Sequence, residues 1–139
     1  MEFEIRSGAE AMDFVRVHGW LTTAYWSPGV TQEKVEQAAH NSSLVLGAFV
    51  GSQQIGYLRV VSDKTTFAWV CDVFVDESHR GRGVAQALVR NALEDSDHQD
   101  MRRWLLATRD AHKTYAAVGF VPLESPERWM LKGKQVTPA

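Results

Sequence analysis

Residues 71–93 change from strand-like to helix-like patterning within one stretch, CDVFVDESHRGRGVAQALVRNAL. Apart from Cys71 and one acid, Asp72, the first five residues are β-branched or aromatic, and a polar turn cluster follows them. From Val84 onward the apolar residues recur at the three- and four-residue spacing of an amphipathic helix. The stretch therefore predicts a buried strand, a loop rich in arginine and glycine, and a helix that begins directly after the loop.

The loop between this strand and this helix has the chemistry of an anion-binding site. Backbone N–H groups at a helix start lack intrahelical partners, and the helix dipole places partial positive charge there. Arg80 and Arg82 add two full positive charges, and Gly81 and Gly83 allow a ligand to approach the backbone. The residues alone leave two interpretations open: a site for a phosphate or pyrophosphate, and an ordinary surface turn with solvated arginines.

Length and composition predict a single globular domain over residues 1–139, long enough to bury a core, with 45% hydrophobic residues. A net charge of −2 argues against a general nucleic-acid-binding protein. No apolar run approaches the ~20 residues that span a membrane, so neither nucleic acid nor membrane is an expected partner. One cysteine excludes an intrachain disulfide and, without a signal-peptide pattern, favours a reducing, cytoplasmic setting.

Patterning in the rest of the chain predicts an antiparallel meander before the loop and a parallel crossover after it. A strand at 3–5 precedes a helix with Ser7 as its N-cap, which ends at Gly19, and a second helix over 31–40. The remaining predictions are strands at 43–50, 55–62, 66–75 and 104–108, a helix at 111–118, and a final pair of strands at 120–122 and 128–132. The predicted order is β-α-α-β-β-β-α-β-α-β-β.

Two motifs occupy fixed places in this order. The sequence RGRGVA at residues 80–85 fits a pyrophosphate-loop pattern of Gln or Arg, two arbitrary residues, Gly, one arbitrary residue, and Gly or Ala. Tyr115 stands four residues before Gly119-Phe120. With the element order, these motifs cover nearly the whole chain, which resembles the GNAT superfamily of acetyl-CoA-dependent N-acetyltransferases, in particular its small single-domain bacterial members. The resemblance implies an α/β (α+β) fold with a mixed, mostly antiparallel sheet flanked by helices.

The resemblance also implies acetyl-CoA as the co-substrate. Its pyrophosphate is expected at the loop, and its pantetheine arm along the fourth strand, where that strand splays from the next. Five scattered histidines and one cysteine show no metal-ligand spacing, so no metal is expected. The cofactor-binding residues expected from the resemblance are Val73, Phe74, Val75, Arg80, Gly81, Arg82, Gly83, Val84 and Ala85.

The implied reaction is direct transfer of an acetyl group to a primary amine of a small molecule or a peptide. Tyr115 matches the residue that in the family serves as the general acid and protonates the leaving sulfur of CoA. The alternative interpretation of Tyr115 is an ordinary half-buried aromatic residue on a helix. Asp72 is the candidate base and amine-binding carboxylate, and a structural acid bonded to backbone or to an arginine is an equal alternative. Tyr25 and Trp26, with Trp129 as a further candidate, are expected to bind substrate, although aromatics at such a break also serve as packing.

Two classes of function follow from these residues. The first is an active N-acetyltransferase, and the second is a catalytically inactive GNAT-like module that binds acyl-CoA as a sensor. Tyr115 and Asp72 favour the enzyme, because a simple binding protein needs neither. The polyamine acetyltransferases carry two adjacent acids where this chain has Cys71-Asp72, which argues against a polyamine substrate. A homodimer is expected by family analogy only.

Overall fold

The computed structural model describes residues 2–133, and their centre is a five-stranded sheet in the order β1-β2-β3-β4-β5. The first four strands pair antiparallel, and β5 lies parallel to β4. The meander, the parallel crossover and the α/β class are therefore as predicted. The strands are β1 (Glu4–Ser7), β2 (Leu44–Val50), β3 (Gln53–Ser62), β4 (Phe67–Val75) and β5 (Arg103–Leu105).

Helices cover both faces of the sheet. The residues that α3 buries, among them Leu88 and Val89, pack with Leu58 of β3 on one face. On the other face α1 and α2 pack around Tyr57 and Phe49. Each fully buried aliphatic side chain stabilises the fold by about 1.5–3 kcal/mol. The α-helices of the described residues are α1 (Phe14–Leu21), α2 (Gln32–His40), α3 (Val84–Glu94) and α4 (His112–Ala116).

Among residues 2–133, every helix is too short or too polar to cross a lipid bilayer.

The first helix differs from its prediction at both ends. A 3-10 turn occupies Ala9–Ala11, and Asp13, rather than Ser7, is the N-cap of α1. Gly19 lies inside α1, which continues to Leu21. Leu21 is only 2% exposed, so tertiary burial extends the helix past a glycine whose intrinsic cost in a helix is about 1 kcal/mol.

The predicted final pair of strands does not form in the described residues, and the strand predicted at 104–108 shortens to Arg103–Leu105. Within 120–133 the only regular element is a 3-10 turn at Pro126–Arg128. Pro122 and Pro126 have no N–H to donate to a ladder, and a three-residue neighbour offers few pairing positions. The apolar side chains of this segment therefore remain at the surface, and Met130 is 98% exposed.

A bulge bends β4 in its second half. Arg59 of β3 pairs with Cys71, but Tyr57 pairs with Phe74, so two residues of β4 lie opposite one residue of β3. Asp72, one of these two, has a φ of 54°, a left-handed conformation that Asp tolerates better than most residues. The bulge increases the local twist and redirects the Asp72 side chain.

Candidate active site

The site lies in a gap between β4 and the chain that follows β5. The two strands pair only over residues 67–69, and from residue 70 to residue 75 no strand of the described residues covers this edge of β4. Residues 106–111 line the opposite wall of the gap. The splay that the sequence predicts is therefore present. Two cavities occupy the gap, called here the loop cavity and the aromatic cavity.

The loop cavity, about 510 Å³ in volume, lies beside the N-terminus of α3. Gly83 is the N-cap of α3 and supplies no capping side chain, so the first N–H groups of the helix are left for a ligand. Gly81 and Gly83 have φ values of 77° and 80°, and a Cβ on either would meet only open space. This backbone is therefore accessible to an anion from the cavity side.

Most of the residues predicted to bind the cofactor lie around this loop cavity. Phe74 is an exception: it is not among the residues that line the cavity, and its ring stacks 5.5 Å from Trp20 on the opposite face of the sheet. Arg82 is also outside the lining residues. The seven predicted residues that do line the cavity are Val73, Val75, Arg80, Gly81, Gly83, Val84 and Ala85.

Arg80 connects the loop to the end of β4. Its Nε donates a hydrogen bond of 2.9 Å to the Val75 carbonyl, and its guanidinium lies 5.1 Å from the centre of the Phe74 ring. The side chain thus ties the loop to the end of β4, with its guanidinium against the Phe74 ring. The sequence analysis did not find Gln86 and Thr114, which also line this cavity. Their positions depend on how α3 packs on α4, for which the sequence carries no local signal.

The aromatic cavity, about 530 Å³ in volume, lies on the far side of Tyr115 from the loop. Tyr25 and Trp26, the residues predicted to bind substrate, both line it, and their rings meet edge to face with centres 5.0 Å apart. Trp69 and Arg109 also line it, and the sequence analysis missed both. In the sequence, Trp69 is an aromatic residue of a predicted strand and Arg109 is one of several arginines, so neither stands out as a site residue.

Trp129, the further aromatic candidate, is elsewhere. Arg103 lies 5.6 Å from the centre of its ring, and both residues line a separate cavity of about 850 Å³ between β5 and residues 118–129. Although that cavity is larger, it contains neither the loop nor Tyr115. This larger cavity is therefore not the candidate active site, because the residues predicted for acetyl transfer lie elsewhere.

Asp72 lies in the wall of the aromatic cavity with both carboxylate oxygens engaged. Oδ2 accepts a hydrogen bond of 2.7 Å from Arg59 Nε, and Oδ1 accepts one of 2.8 Å from Trp26 Nε1. Burial lowers the pKa of Arg59, but the Asp72 carboxylate, together with Cys71 and Tyr57, raises it, and the net change is upward. Arg59 therefore remains charged. The sequence analysis gave a structural acid bonded to an arginine as one alternative for Asp72, and the ion pair with Arg59 is such a contact. The role of Asp72 as a base stays a prediction.

Tyr115 stands where the two cavities meet. Together with Val73 and Ala111 it lines both of them. Burial, with smaller contributions from Tyr25 and Asp110, raises the pKa of Tyr115 to about 12. The phenol is therefore protonated at neutral pH and can donate a hydrogen bond or a proton at this junction.

The comparisons with known proteins identify the family. Residues 10–120 match the model of the Acetyltransferase (GNAT) family. The chain belongs to this family. The resemblance noted in the sequence is thereby confirmed.

Solved structures agree with this assignment to the GNAT family. A Xanthomonas campestris pv. campestris protein assigned as a GNAT acetyltransferase is 35% identical, with a TM-score of 0.91 over 96% of this chain and 94% of that chain. A Deinococcus radiodurans R1 protein assigned as an acetyltransferase shares 18% identity and a TM-score of 0.75, with 94% and 87% covered. No curated protein sequence matches the chain.

A further GNAT-fold structure was solved with acetyl-CoA. It is an assigned acetyltransferase of Clostridium acetobutylicum, 12% identical, with a TM-score of 0.69 over 95% of this chain and 96% of that chain. Acetyl-CoA is the acyl donor of the GNAT family. The described residues fit it, because an uncapped helix start, two left-handed glycines with open space beside them and an uncovered strand edge line one continuous gap.

Proposed function

We propose that this protein is an acetyl-CoA-dependent N-acetyltransferase that transfers an acetyl group directly to a primary amine of a small molecule or a peptide. The observation that supports this most is the junction of two cavities of similar volume at Tyr115. One cavity suits an anionic donor and the other suits an acceptor, so both reactants can be held side by side. Such positioning accelerates a bimolecular reaction without a covalent enzyme intermediate.

The loop cavity would hold the cofactor. The N–H groups at the start of α3 bind the pyrophosphate, and the uncovered edge of β4 at residues 73–75 offers peptide groups to the amide-rich arm. Acetyl-CoA would supply an acetyl group activated as a thioester. Val73 and Tyr115, which line both cavities, would hold the reacting end of this arm.

Tyr115 and Asp72 would handle the protons. Tyr115 holds a proton on its hydroxyl oxygen at the cavity junction, where the leaving sulfur needs one. Asp72 is the candidate to receive the proton of the acceptor, directly or through water. Since both carboxylate oxygens already accept hydrogen bonds from Arg59 and Trp26, we assign Asp72 chiefly to orienting the acceptor.

The test is thiol release from acetyl-CoA across a panel of primary amines. We expect turnover with at least one amine, and a fall in kcat of about 100-fold in Tyr115→Phe. The affinity for CoA, measured by calorimetry, should change less than about twofold in this variant, because a phenyl ring preserves the packing. Tight CoA binding without release of thiol for any amine would contradict the enzyme and support the acyl-CoA-binding module.

A further inference from the structure

The walls of the aromatic cavity select for an apolar body in the acceptor. Rings of Tyr25, Trp26, Trp69 and Tyr115 line it, and Leu106 adds an aliphatic surface. Edge-to-face packing of Tyr25 against Trp26, at an interplanar angle of 87°, presents two differently oriented ring surfaces to the same space. Cavities of this volume and lining bind small molecules through burial of apolar surface, with a few polar groups that set orientation.

The charges around the same cavity cancel. Asp72 is paired with Arg59, with 15% and 20% of their side chains exposed. Asp110 lies 3.6 Å from Arg109. Among the described residues that line the cavity, these two aspartates are the only carboxylates, and each has its arginine. A second ammonium group on the acceptor would therefore find no uncompensated negative charge.

Arg109 is held at the rim of the cavity with hydrogen-bonding capacity remaining. Its guanidinium lies 4.1 Å from the centre of the Tyr25 ring, and its backbone N–H donates a hydrogen bond of 2.8 Å to the Tyr25 hydroxyl. The 3.6 Å separation from Asp110 is longer than a hydrogen bond. A guanidinium that is fixed on an aromatic face, and whose ion pair with Asp110 is too long for a hydrogen bond, can use its N–H donors for bidentate binding of a carboxylate.

We propose that the acceptor is a primary amine on an aromatic or similarly bulky apolar body, with a carboxylate and no second positive charge, and that Arg109 binds the carboxylate. The ring-lined walls bury the body, and the balanced charges of the two aspartates exclude polycations. This inference rests on the proposed function, since it assigns the substrate class of the same site.

Matched pairs of amines test this acceptor class. Thiol release is measured for phenylalanine against phenethylamine, for tryptophan against tryptamine, and for spermidine. We expect the carboxylated member of each pair to have the higher kcat/KM and spermidine to have the lowest. In Arg109→Gln, kcat/KM for phenylalanine should fall about tenfold, mainly through KM, while that for phenethylamine changes less than about twofold.

Arg90→Gln is the matched control for charge, because Arg90 is an exposed arginine of α3 that lines neither cavity. It should leave both members of the pair unchanged. Preferred turnover of spermidine would overturn the proposal. An equal loss for phenylalanine and phenethylamine in Arg109→Gln would do the same.

Binding without acetyl-CoA separates the acceptor class from the reaction. The same amines are titrated against the protein by calorimetry and by the fluorescence of its tryptophans. Tighter binding of phenylalanine than of phenethylamine, lost in Arg109→Gln, supports the acceptor class even if no amine is acetylated, in which case only the proposed function fails. Acetylation of spermidine alone keeps the function and overturns the class, and absence of both binding and turnover overturns both.

Discussion

Asp72 acquires its surroundings from residues that are distant in sequence. In the sequence it is one acid in an apolar strand, a pattern that suits a base and a structural carboxylate equally. In the structure the bulge of β4 directs it to Arg59 and Trp26, which donate to its two oxygens. Because both oxygens already have partners within the chain, the contacts favour a positioning role for Asp72.

Replacing Asp72 by Asn tests its structural contribution. Asn retains an oxygen acceptor and tolerates the φ of 54°, so the change removes mainly the charge that balances Arg59. We expect the free energy of unfolding in urea to fall by about 2 kcal/mol, below the 3–5 kcal/mol of a fully buried pair because this pair is partly exposed.

The double variant Asp72→Asn/Arg59→Met is the control for Asp72→Asn. It should recover part of the lost stability, because it also removes the unbalanced guanidinium. Unchanged stability of Asp72→Asn together with abolished turnover would instead show that the carboxylate acts on the acceptor and contributes little to the fold.

Tyr115 determines a feature of the pH dependence. An acid with a raised pKa keeps its proton until the pH rises through that value, here about 12. Between about pH 6 and pH 10, kcat/KM should therefore rise as the acceptor ammonium deprotonates and show no descending limb from Tyr115. Tyr115→Phe should lower the whole profile without moving its midpoint. A descending limb below pH 10 that disappears in this variant would contradict the assignment.

At the scale of elements, the site depends on β4 and the start of α3. β4 is covered by β3 along one side and by β5 over residues 67–69 only, so its second half presents an uncovered edge next to the loop. α3 begins at an N-cap glycine in a left-handed conformation, which directs its first N–H groups to the same gap. A strand edge and a helix terminus thus border one gap, which the proposed function assigns to acetyl-CoA.

Gly83→Val tests the loop end of this surface. A Cβ at Gly83 meets no atom of the protein, so the branched side chain should fill ligand space and weaken CoA binding by about tenfold or more. The positive φ adds strain of about 1–3 kcal/mol. Gly51→Val, in the β2–β3 turn with a φ of 59° and open space around it, is the matched control.

Both variants should lose similar stability in thermal unfolding, and only Gly83→Val should lose CoA affinity in calorimetry. Equal affinities for CoA in the two variants would refute the position of the pyrophosphate site.

At the scale of the whole molecule, the joined cavities favour a ternary complex over an acylated enzyme. Cys71 is the one cysteine of the chain and lines the aromatic cavity, so it is the obvious candidate for an acyl carrier. Burial raises the pKa of its thiol to about 11, which leaves little of the nucleophilic thiolate at neutral pH. Direct transfer is therefore expected.

Initial-velocity lines with acetyl-CoA and an amine as the varied substrates should intersect, and intact-protein mass spectrometry should detect no acetylated enzyme. Cys71→Ser should retain acetyl transfer, because serine preserves the size of the side chain without serving as a carrier. Parallel lines and a stable acetyl adduct that is lost in Cys71→Ser would show a covalent route.

Local patterns carried most of the prediction. The second helix, predicted over 31–40 and found at Gln32–His40, the hairpin of β2 and β3 and the glycine loop before α3 follow from turn chemistry and periodicity within a few residues. The predictions failed where burial or the neighbouring element determines whether a helix continues or a strand forms. Gly19 remains inside α1 because the following residues are buried, and 120–132 forms no strands because its neighbour is short and two prolines lack donors.

By itself the sequence determined the order of the elements as far as α4, the glycine-containing loop before α3 and the position of Tyr115 on α4, because each follows from rules that act between close neighbours. Only the tertiary structure decided what surrounds the acceptor. The Arg59–Asp72, Trp26–Asp72 and Arg109–Tyr25 contacts join residues 13, 46 and 84 positions apart. Sheet register, the bulge in β4 and the path of the chain after β5 bring them together, and sequence spacing carries no information about such contacts.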